Sequence, residues 1–293
     1  MIRKALLFRN LVDNIPKNIG LYSVGILFLV MFGYTFDVLA TVLGLIAFII
    51  SYSSIYIIND LFDIAEDKGI PEKHMRKPLT QGLVEKSEAV TISLVLLLVG
   101  LSLSFILNFM FFGFLSTLIL VNALYSVPIA SLSARQTISD GSRQQNQEYD
   151  YGRPTSFKHS ILGLPLVLVM QFLKMLLPWT ITTQLAQFPF LFALGFSLVY
   201  VVLFKGYKKN QTVGESVVRE LLLFGLATIV FILSMLIHPK PIFQASIVLY
   251  LVAGMALFRN FRLIDKRVII LSPVYIGLGL VFLIILIHIE TMT

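Results

Sequence analysis

Nine apolar segments, each close to the length of a bilayer-spanning helix, constrain the fold of this chain more than any other feature. A helix that crosses a membrane needs about 20 mainly apolar residues. Only 13% of the residues are charged, whereas soluble domains normally carry about 25%. The sequence therefore predicts an all-α polytopic membrane protein with a single transmembrane domain over residues 1–293. Its predicted spans are 18–36, 39–58, 88–107, 109–128, 160–183, 188–204, 220–238, 242–258 and 268–289.

The lysines and arginines indicate which side of the membrane each loop faces, because cytosolic loops carry an excess of these residues. With a cytosolic N-terminus, all but two of the 23 basic residues lie in cytosolic segments, the exceptions being Lys174 and Lys240. The net charge of +7 therefore reports orientation and gives no reason to expect a nucleic-acid partner. The cytosolic loops are predicted at about 59–87, 129–159, 205–219 and 259–267.

An acidic cluster follows the second apolar segment, on the predicted cytosolic side. At 100° per residue, Asp60, Asp63 and Asp67 fall within about a 60° arc of one helix, and Asn59 and Glu66 widen it to about 120°. Like charges at this spacing repel one another, so a bound cation would relieve the strain. Oxygen ligands suit Mg²⁺, which often completes its shell with waters and substrate phosphates. The pattern predicts a Mg²⁺ site at Asp60, Asp63 and Asp67, the alternative being a solvated helix end.

A basic loop follows the acids and is interrupted by glycine and proline. It contains Lys73, His74, Arg76 and Lys77. Lysine neutralises phosphate as a point charge and arginine binds it as a planar fork. Beside a metal-binding face, the loop predicts one half of a diphosphate site, with Lys73 and Arg76 as ligands. The alternative is that these residues only anchor the topology.

These two clusters carry a family resemblance. The stretch NDLFDIAED, followed by PEKHMRKPLTQG, resembles the first aspartate-rich motif of the UbiA superfamily of intramembrane prenyltransferases. That pattern is N-D-x-x-D-x-x-x-D and then a basic stretch ending in R-P, whereas here Lys77 separates Arg76 from Pro78. The resemblance implies nine transmembrane helices around a lipid-open cavity capped by polar cytosolic loops. The residues that it assigns to Mg²⁺ and diphosphate are Asn59, Asp60, Asp63 and Asp67.

Three further stretches resemble the decaprenyl-phosphate phosphoribosyltransferase-like branch of that superfamily, and one of them, SSIYIINDLFD, matches its S-x-Y-x-x-N-D lead-in. NIPKNIGLYSVGILF resembles its W-x-K-N entry to the first helix, with Lys17 and Asn18 as the K-N pair. MQFLKMLLP stands where the branch has F-L-x-R and places Lys174 at the basic position. A charge in mid-span costs several kcal/mol unless it finds a partner or reaches the interface. We therefore expect Lys174 to face the cavity and bind phosphate.

The loop after the sixth segment departs from the classical pattern. It reads FKGYKKNQTVGESVVRE and has no aspartate, although classical prenyltransferases have a second aspartate-rich motif there. Lys205, Tyr207 and Arg219 match positions of the phosphoribosyl branch, and we expect them to bind substrate by charge and hydrogen bonding. The alternative is that this half of the site has lost its function. Tyr125 is a further candidate for substrate contact, although tyrosine also favours the membrane interface.

The sequence thus predicts a Mg²⁺-dependent integral membrane transferase whose active site faces the cytosol. It would displace diphosphate, with a polyprenyl lipid as one substrate and Asp60, Asp63 and Lys174 as catalytic residues. Phosphoribosyl transfer from phosphoribosyl diphosphate to a polyprenyl phosphate is the favoured reaction. Prenyl transfer to an aromatic or other polar acceptor is one alternative, and a non-catalytic lipid- or partner-binding relative is another. The predicted substrate-binding residues are Lys17, Asn59, Lys73, Arg76, Tyr125, Lys205, Tyr207 and Arg219, and the oligomeric state is left open.

Overall fold

Seven long helices make up most of the residues that the computed structural model describes. The described residues are 7–69, 74–75, 77–126, 128–129, 155–156, 163–182, 185–209 and 217–237. In chain order the elements are α1 (Leu7–Met31), α2 (Val38–Phe62), α3 (Ile64–Lys68), α4 (Lys86–Leu107), α5 (Phe109–Ser126), β1 (Pro128–Ile129), β2 (Thr155–Ser156), α6 (Gly163–Thr180), a 3-10 turn (Leu185–Gln187), α7 (Phe190–Lys209) and α8 (Val217–Ile237). The two short strands pair antiparallel, with Pro128 opposite Ser156.

Four of the described helices, α2, α4, α5 and α6, are long and apolar enough to cross a membrane. Shorter apolar stretches lie in α1, α7 and α8, at Asn18–Val30, Phe190–Val201 and Gly225–Ser234. The prediction of a helical protein with several apolar helices is therefore confirmed. The predicted spans 242–258 and 268–289 and the loop 259–267 lie outside the described residues, so the count of nine spans and the orientation stay predictions.

The first helix differs from its predicted bounds. The apolar segment begins at residue 18, whereas α1 begins at Leu7. Arg9 and Asp13 interrupt the apolar run but are compatible with helical backbone, so the helix extends beyond the segment that could lie in lipid. It ends near Gly33, whose φ of 72° is a left-handed conformation that glycine adopts without steric cost.

Helix α2 carries polar groups at both ends. Asp37 caps its N-terminus, because its Oδ1 accepts a hydrogen bond of 3.0 Å from the amide of Ala40. A carboxylate at this position also complements the helix dipole. The helix has 25 residues, which corresponds to a length of about 37 Å. Asp37 and the acidic cluster therefore lie at opposite ends of one membrane-length helix.

Small residues let the helices approach closely, which is the usual basis of packing between membrane helices. At Gly25 in α1, an added Cβ would overlap the carbonyl oxygen of Met175 in α6. A hydrogen bond also joins these two helices at Gly25, because the buried Trp179 of α6 donates from Nε1 to the Gly25 carbonyl at 2.8 Å. Helix α2 makes its most extensive contact with α4. There Gly100 lies against Ser51, and an added Cβ would be 2.6 Å from the Ser51 nitrogen.

We predict that Gly100→Ala weakens the contact between α2 and α4. Its methyl group would meet the backbone of Ser51, and overpacking of this kind costs about 1–3 kcal/mol. The matched control is Gly113→Ala in α5, where an added Cβ has no atom within 4 Å. The measurement is the midpoint of thermal unfolding in detergent, followed by size-exclusion chromatography. Equal midpoints for the two variants would contradict the packing described for Gly100.

Candidate functional site

The acidic cluster lies where α2 ends and the short helix α3 begins. Asn59 and Asp60 belong to the last turn of α2, Asp63 is its C-cap residue, and Asp67 lies in α3. The helix is interrupted at Asp63, but the amide of Asp63 bonds the Asn59 carbonyl at 2.9 Å and the amide of Asp67 bonds the Asp63 carbonyl at 2.8 Å. Helical hydrogen bonds therefore lead into and out of the break. Asp60 and Asp67 lie on a common side, since both contact the same ammonium.

Asp60 and Asp67 converge on one cation, the ammonium of Lys77. Its Nζ lies 2.6 Å from Asp60 Oδ1 and 2.5 Å from Asp67 Oδ2. Both acids are buried, with 8% of Asp60 and 0% of Asp67 exposed. Burial by itself would lower the pKa of Lys77, but the two carboxylates outweigh it and the pKa lies above its ordinary value. Lys77 is therefore charged at neutral pH and compensates the buried acids.

A folded turn holds Lys77 in this position. Thr80 donates from Oγ1 to the carbonyls of His74 and Lys77, at 3.0 and 2.8 Å. Gln81 donates from Nε2 to the carbonyls of His74 and Met75, at 3.0 and 2.6 Å. The turn is anchored by a small apolar cluster, separate from the main core, that joins it to α2, α3 and α4. This cluster consists of Ile57, Ile64, Leu79, Val84 and Ala89.

Asn59 contributes an oxygen with no hydrogen-bond donor in the described part of the chain. Its Nδ2 donates to Asn122 Oδ1 at 3.4 Å, while its own Oδ1 is buried without a hydrogen-bond partner there. A buried acceptor normally finds a donor or a cation, since leaving it unsatisfied costs about 1–3 kcal/mol. The Asn59 amide is therefore available to a ligand next to the carboxylates.

A chain of polar contacts continues from Asn59 into the interior of the helix bundle. Asn122 donates from Nδ2 to the hydroxyl of Tyr52. The ring of Tyr52 lies under the ammonium of Lys174, with Nζ 4.3 Å from the ring centroid. This distance allows a cation–π interaction, which is strongest where water is excluded. Asn59 and Lys174 are thus joined through two intervening side chains.

Lys174 lies inside the bundle, with 1% of its surface exposed. Its Nζ donates to Asn18 Oδ1 at 3.1 Å, and Asn18 in turn donates from Nδ2 to the hydroxyl of Tyr56 at 3.0 Å. The position agrees with the expectation that Lys174 points inward, and its role in binding phosphate stays a prediction. Asn18, from the K-N pair, accepts this hydrogen bond from Lys174.

The structure describes only some of the remaining predicted site residues. Tyr125 is half-buried in α5 and close enough to Asp63 for an electrostatic interaction. Lys73 and Arg76 lie outside the described residues. Four others lie on described helices, but their side chains are outside the described set: Lys17 in α1, Lys205 and Tyr207 in α7, and Arg219 in α8.

The described part of the site differs from the predicted Mg²⁺ site at Asp60, Asp63 and Asp67 in two respects. Within the described ranges, no group of three Asp, Glu, His or Cys side chains is placed to hold a metal ion. Instead, Asp60 and Asp67 share Lys77, the residue inserted between arginine and proline in the basic stretch. The insertion was visible in the sequence, but spacing alone did not indicate that it contacts the acids. Asn122 gave no signal because it is a single polar residue in an apolar segment, and nothing in the sequence set Tyr52 apart from the serines beside it.

Comparisons with known proteins agree with the resemblance. Residues 20–139 match the model of the UbiA prenyltransferase family. The chain is 44% identical over 70 residues to a digeranylgeranylglyceryl phosphate synthase of Sulfurisphaera tokodaii, a match that covers 24% of this chain and 23% of that protein. The chain therefore spans only about a quarter of the length of this curated relative.

The structure is similar to that of a UbiA homolog from Archaeoglobus fulgidus bound to GPP and Mg²⁺. The TM-score is 0.65 at 16% sequence identity, and the match covers 97% of this chain and 98% of that one. The predicted resemblance to the UbiA family is confirmed, and the chain has the UbiA fold.

We predict that Asn18→Leu destabilises the protein, because it removes the oxygen that accepts from the buried ammonium of Lys174. Hydrogen bonds to charged groups contribute about 1.5–3 kcal/mol. The double variant Asn18→Leu/Lys174→Met should regain much of this loss, since both partners are then apolar. The hydrogen bond from Asn18 to Tyr56 is absent in both variants, so the difference between their stabilities reports the effect of Lys174 alone. Thermal unfolding in detergent measures it, and a double variant no more stable than Asn18→Leu would contradict the pairing.

Proposed function

We propose that the protein is a Mg²⁺-dependent membrane prenyltransferase that transfers a prenyl group from a prenyl diphosphate to a polar acceptor. The observation that carries this proposal is the convergence of Asp60 and Asp67 on one cation at the end of a membrane-length helix. Asn59, one residue before Asp60, adds an Oδ1 that accepts no hydrogen bond from the described residues. The UbiA fold and the family match over residues 20–139 support the reaction class.

The residues at this site fit Mg²⁺ by their chemistry. All the donors are oxygens, which Mg²⁺ prefers, and two carboxylates already meet at a single cation. The residues that would hold the metal are Asn59, Asp60, Asp63 and Asp67. When bound, Mg²⁺ would act as a Lewis acid that neutralises the leaving diphosphate. The similar protein from Archaeoglobus fulgidus was solved with GPP and Mg²⁺, which supports the assignment.

The basic residues would stabilise the diphosphate as its bond to the prenyl carbon breaks. Lys73 and Arg76 belong to the basic stretch next to the acids in the sequence and are proposed to bind the phosphate oxygens. Fixed cations aimed at developing negative charge lower the barrier most where water is excluded. Lys174 is proposed to contribute from within the bundle, where Asn18 and the ring of Tyr52 hold its ammonium. Tyr125, Lys205, Tyr207, Arg219 and Lys17 are proposed to contact the substrates.

The curated relative supports a lipid-like acceptor. That protein is named a digeranylgeranylglyceryl phosphate synthase, so we propose a prenylglycerol phosphate as the acceptor class to test first. The protein would be a single transmembrane domain over residues 1–293, with nine spans and a cytosolic N-terminus. This topology rests on the distribution of basic residues and on a fold similarity that covers 97% of the chain.

Phosphoribosyl transfer to a polyprenyl phosphate is the second candidate. It is favoured by the contact between Asn18 and Lys174, since both positions are those that resemble the phosphoribosyl branch. The relatives found by comparison are of the prenyl type and give this subtype no support. We therefore place it after prenyl transfer.

We predict that the purified protein in lipid nanodiscs, supplied with Mg²⁺, transfers label from prenyl diphosphates to prenylglycerol phosphate or to an aromatic acceptor. Asp60→Asn should lower kcat/KM by on the order of 100-fold, since it removes a charge that acts on the reacting diphosphate. The matched control is Asp37→Asn at the opposite end of α2, where asparagine caps a helix as well as aspartate does. This variant should keep full turnover.

A parallel assay offers labelled phosphoribosyl diphosphate with a polyprenyl phosphate. Turnover only in this assay would replace prenyl transfer by the second candidate. Turnover in neither assay, with the protein folded and both variants monodisperse, would favour a non-catalytic lipid- or partner-binding relative.

A further inference from the structure

We propose that Lys77 is an internal counter-ion that occupies the carboxylate pair Asp60–Asp67 and leaves it when a divalent cation binds. The inference rests on the proposed Mg²⁺ site and adds a residue that tunes it. Lys77 would thereby set the metal concentration at which the site is loaded.

The geometry gives Lys77 the place of a bridging cation. Its ammonium lies 2.6 and 2.5 Å from oxygens of two carboxylates that belong to different helices, α2 and α3. Mg²⁺ binds carboxylate oxygens at about 2.0–2.1 Å, so a metal that bridges these two carboxylates would take the place of the ammonium between them. Two cations cannot share so small a volume, because their repulsion adds to the overlap. Binding of the metal therefore requires the ammonium to move.

Burial explains why a cation is needed there in the absence of metal. Asp60 and Asp67 are 8% and 0% exposed. Buried carboxylates without compensation are strongly destabilising, and they would also repel each other. Lys77 contacts both carboxylates and offsets part of this cost. The same reasoning makes Lys77 a competitor of the metal.

The turn allows the side chain to leave without moving its backbone. The carbonyl of Lys77 is held by Thr80, and Leu79 is buried in the small apolar cluster. The Lys77 side chain is 18% exposed, so it borders solvent. A lysine side chain has a flexible four-carbon stem. Rotation of the side chain is therefore sufficient to release the carboxylates.

The sequence around this residue supports a specific role. In the basic stretch MRKPLTQG, Lys77 is the residue that separates arginine from proline. The departure from the motif is thus the residue that reaches the acids. The effect of Lys77 on metal affinity follows from competition. The apparent affinity equals the intrinsic affinity multiplied by the fraction of molecules in which Lys77 has left the carboxylates.

The test is divalent-cation binding to the full chain in nanodiscs, measured by isothermal titration with Mg²⁺ and by paramagnetic resonance with Mn²⁺. Lys77→Met should bind the metal about tenfold more tightly than the unmodified protein, as expected if the open site is populated at about one part in ten. Lys77→Met should also unfold at lower temperature without metal and be stabilised more by Mg²⁺. The control is Lys86→Met, an exposed lysine at the start of α4, which should bind as the unmodified protein does.

A second measurement uses the unmodified protein and does not depend on a variant that folds. Lysines are acetylated with an amine-reactive ester, with and without Mg²⁺, and quantified by mass spectrometry. Reactivity of Lys77 should rise several-fold with Mg²⁺, while that of Lys86 stays constant. A Lys77 that reacts equally in both conditions would overturn the proposal.

The outcomes separate this inference from the proposed function. Equal or weaker metal binding by Lys77→Met, with normal binding by the unmodified protein, would overturn the role of Lys77 and leave the metal site intact. Absence of metal binding in the unmodified protein, Lys77→Met and Lys86→Met alike would overturn the metal site itself and the inference with it.

Discussion

Buried negative charge at the end of α2 is the constraint that organises the rest of this structure. Asp60 and Asp67 are withdrawn from solvent, and carboxylates in such a position must meet a cation. The turn that follows α3 supplies one in Lys77, and hydrogen bonds from Thr80 and Gln81 keep the turn folded. The ion pairs of Lys77 therefore link the turn to the end of α2 and to α3, and the small apolar cluster links it to the start of α4.

A second constraint acts deeper in the bundle. The hydrocarbon core of a bilayer supplies no water to polar groups, so polar side chains at that depth are stabilised by bonding to one another. Asn18, Lys174, Tyr52 and Asn122 do so in sequence, and Asn122 reaches Asn59 next to the acids. Charge at the membrane surface and charge inside the bundle thus belong to one connected polar system. The proposed substrate has a charged diphosphate and an apolar chain, and Lys174 places one positive charge inside the bundle where that proposal needs it.

The spacing of the acids along the sequence was enough to predict that they cluster. The helical period places Asp60 and Asp67 on one side, and this holds even though the helix is interrupted at Asp63. The inward position of Lys174 was also predictable, since a charge facing lipid is costly. The contact between Lys77 and these acids could not be predicted in the same way, because Lys73, Arg76 and Lys77 lie within five residues of one another and their spacing does not show that Lys77 reaches Asp60 and Asp67. Asn122 lies 63 residues from the asparagine that it contacts, and no local pattern contains such a pairing.

The amino-acid sequence by itself determined that the chain forms apolar helices and that acids and bases gather beside one of them. Apolar length and helical period are properties of neighbouring residues, so they can be read without the fold. Tertiary structure decided which base compensates which acid, and which asparagine and tyrosine connect the surface cluster to Lys174. Those contacts depend on the crossing of distant helices and on a turn closed by side chain to backbone hydrogen bonds. Their energies are set by burial, which exists only once the helices have packed.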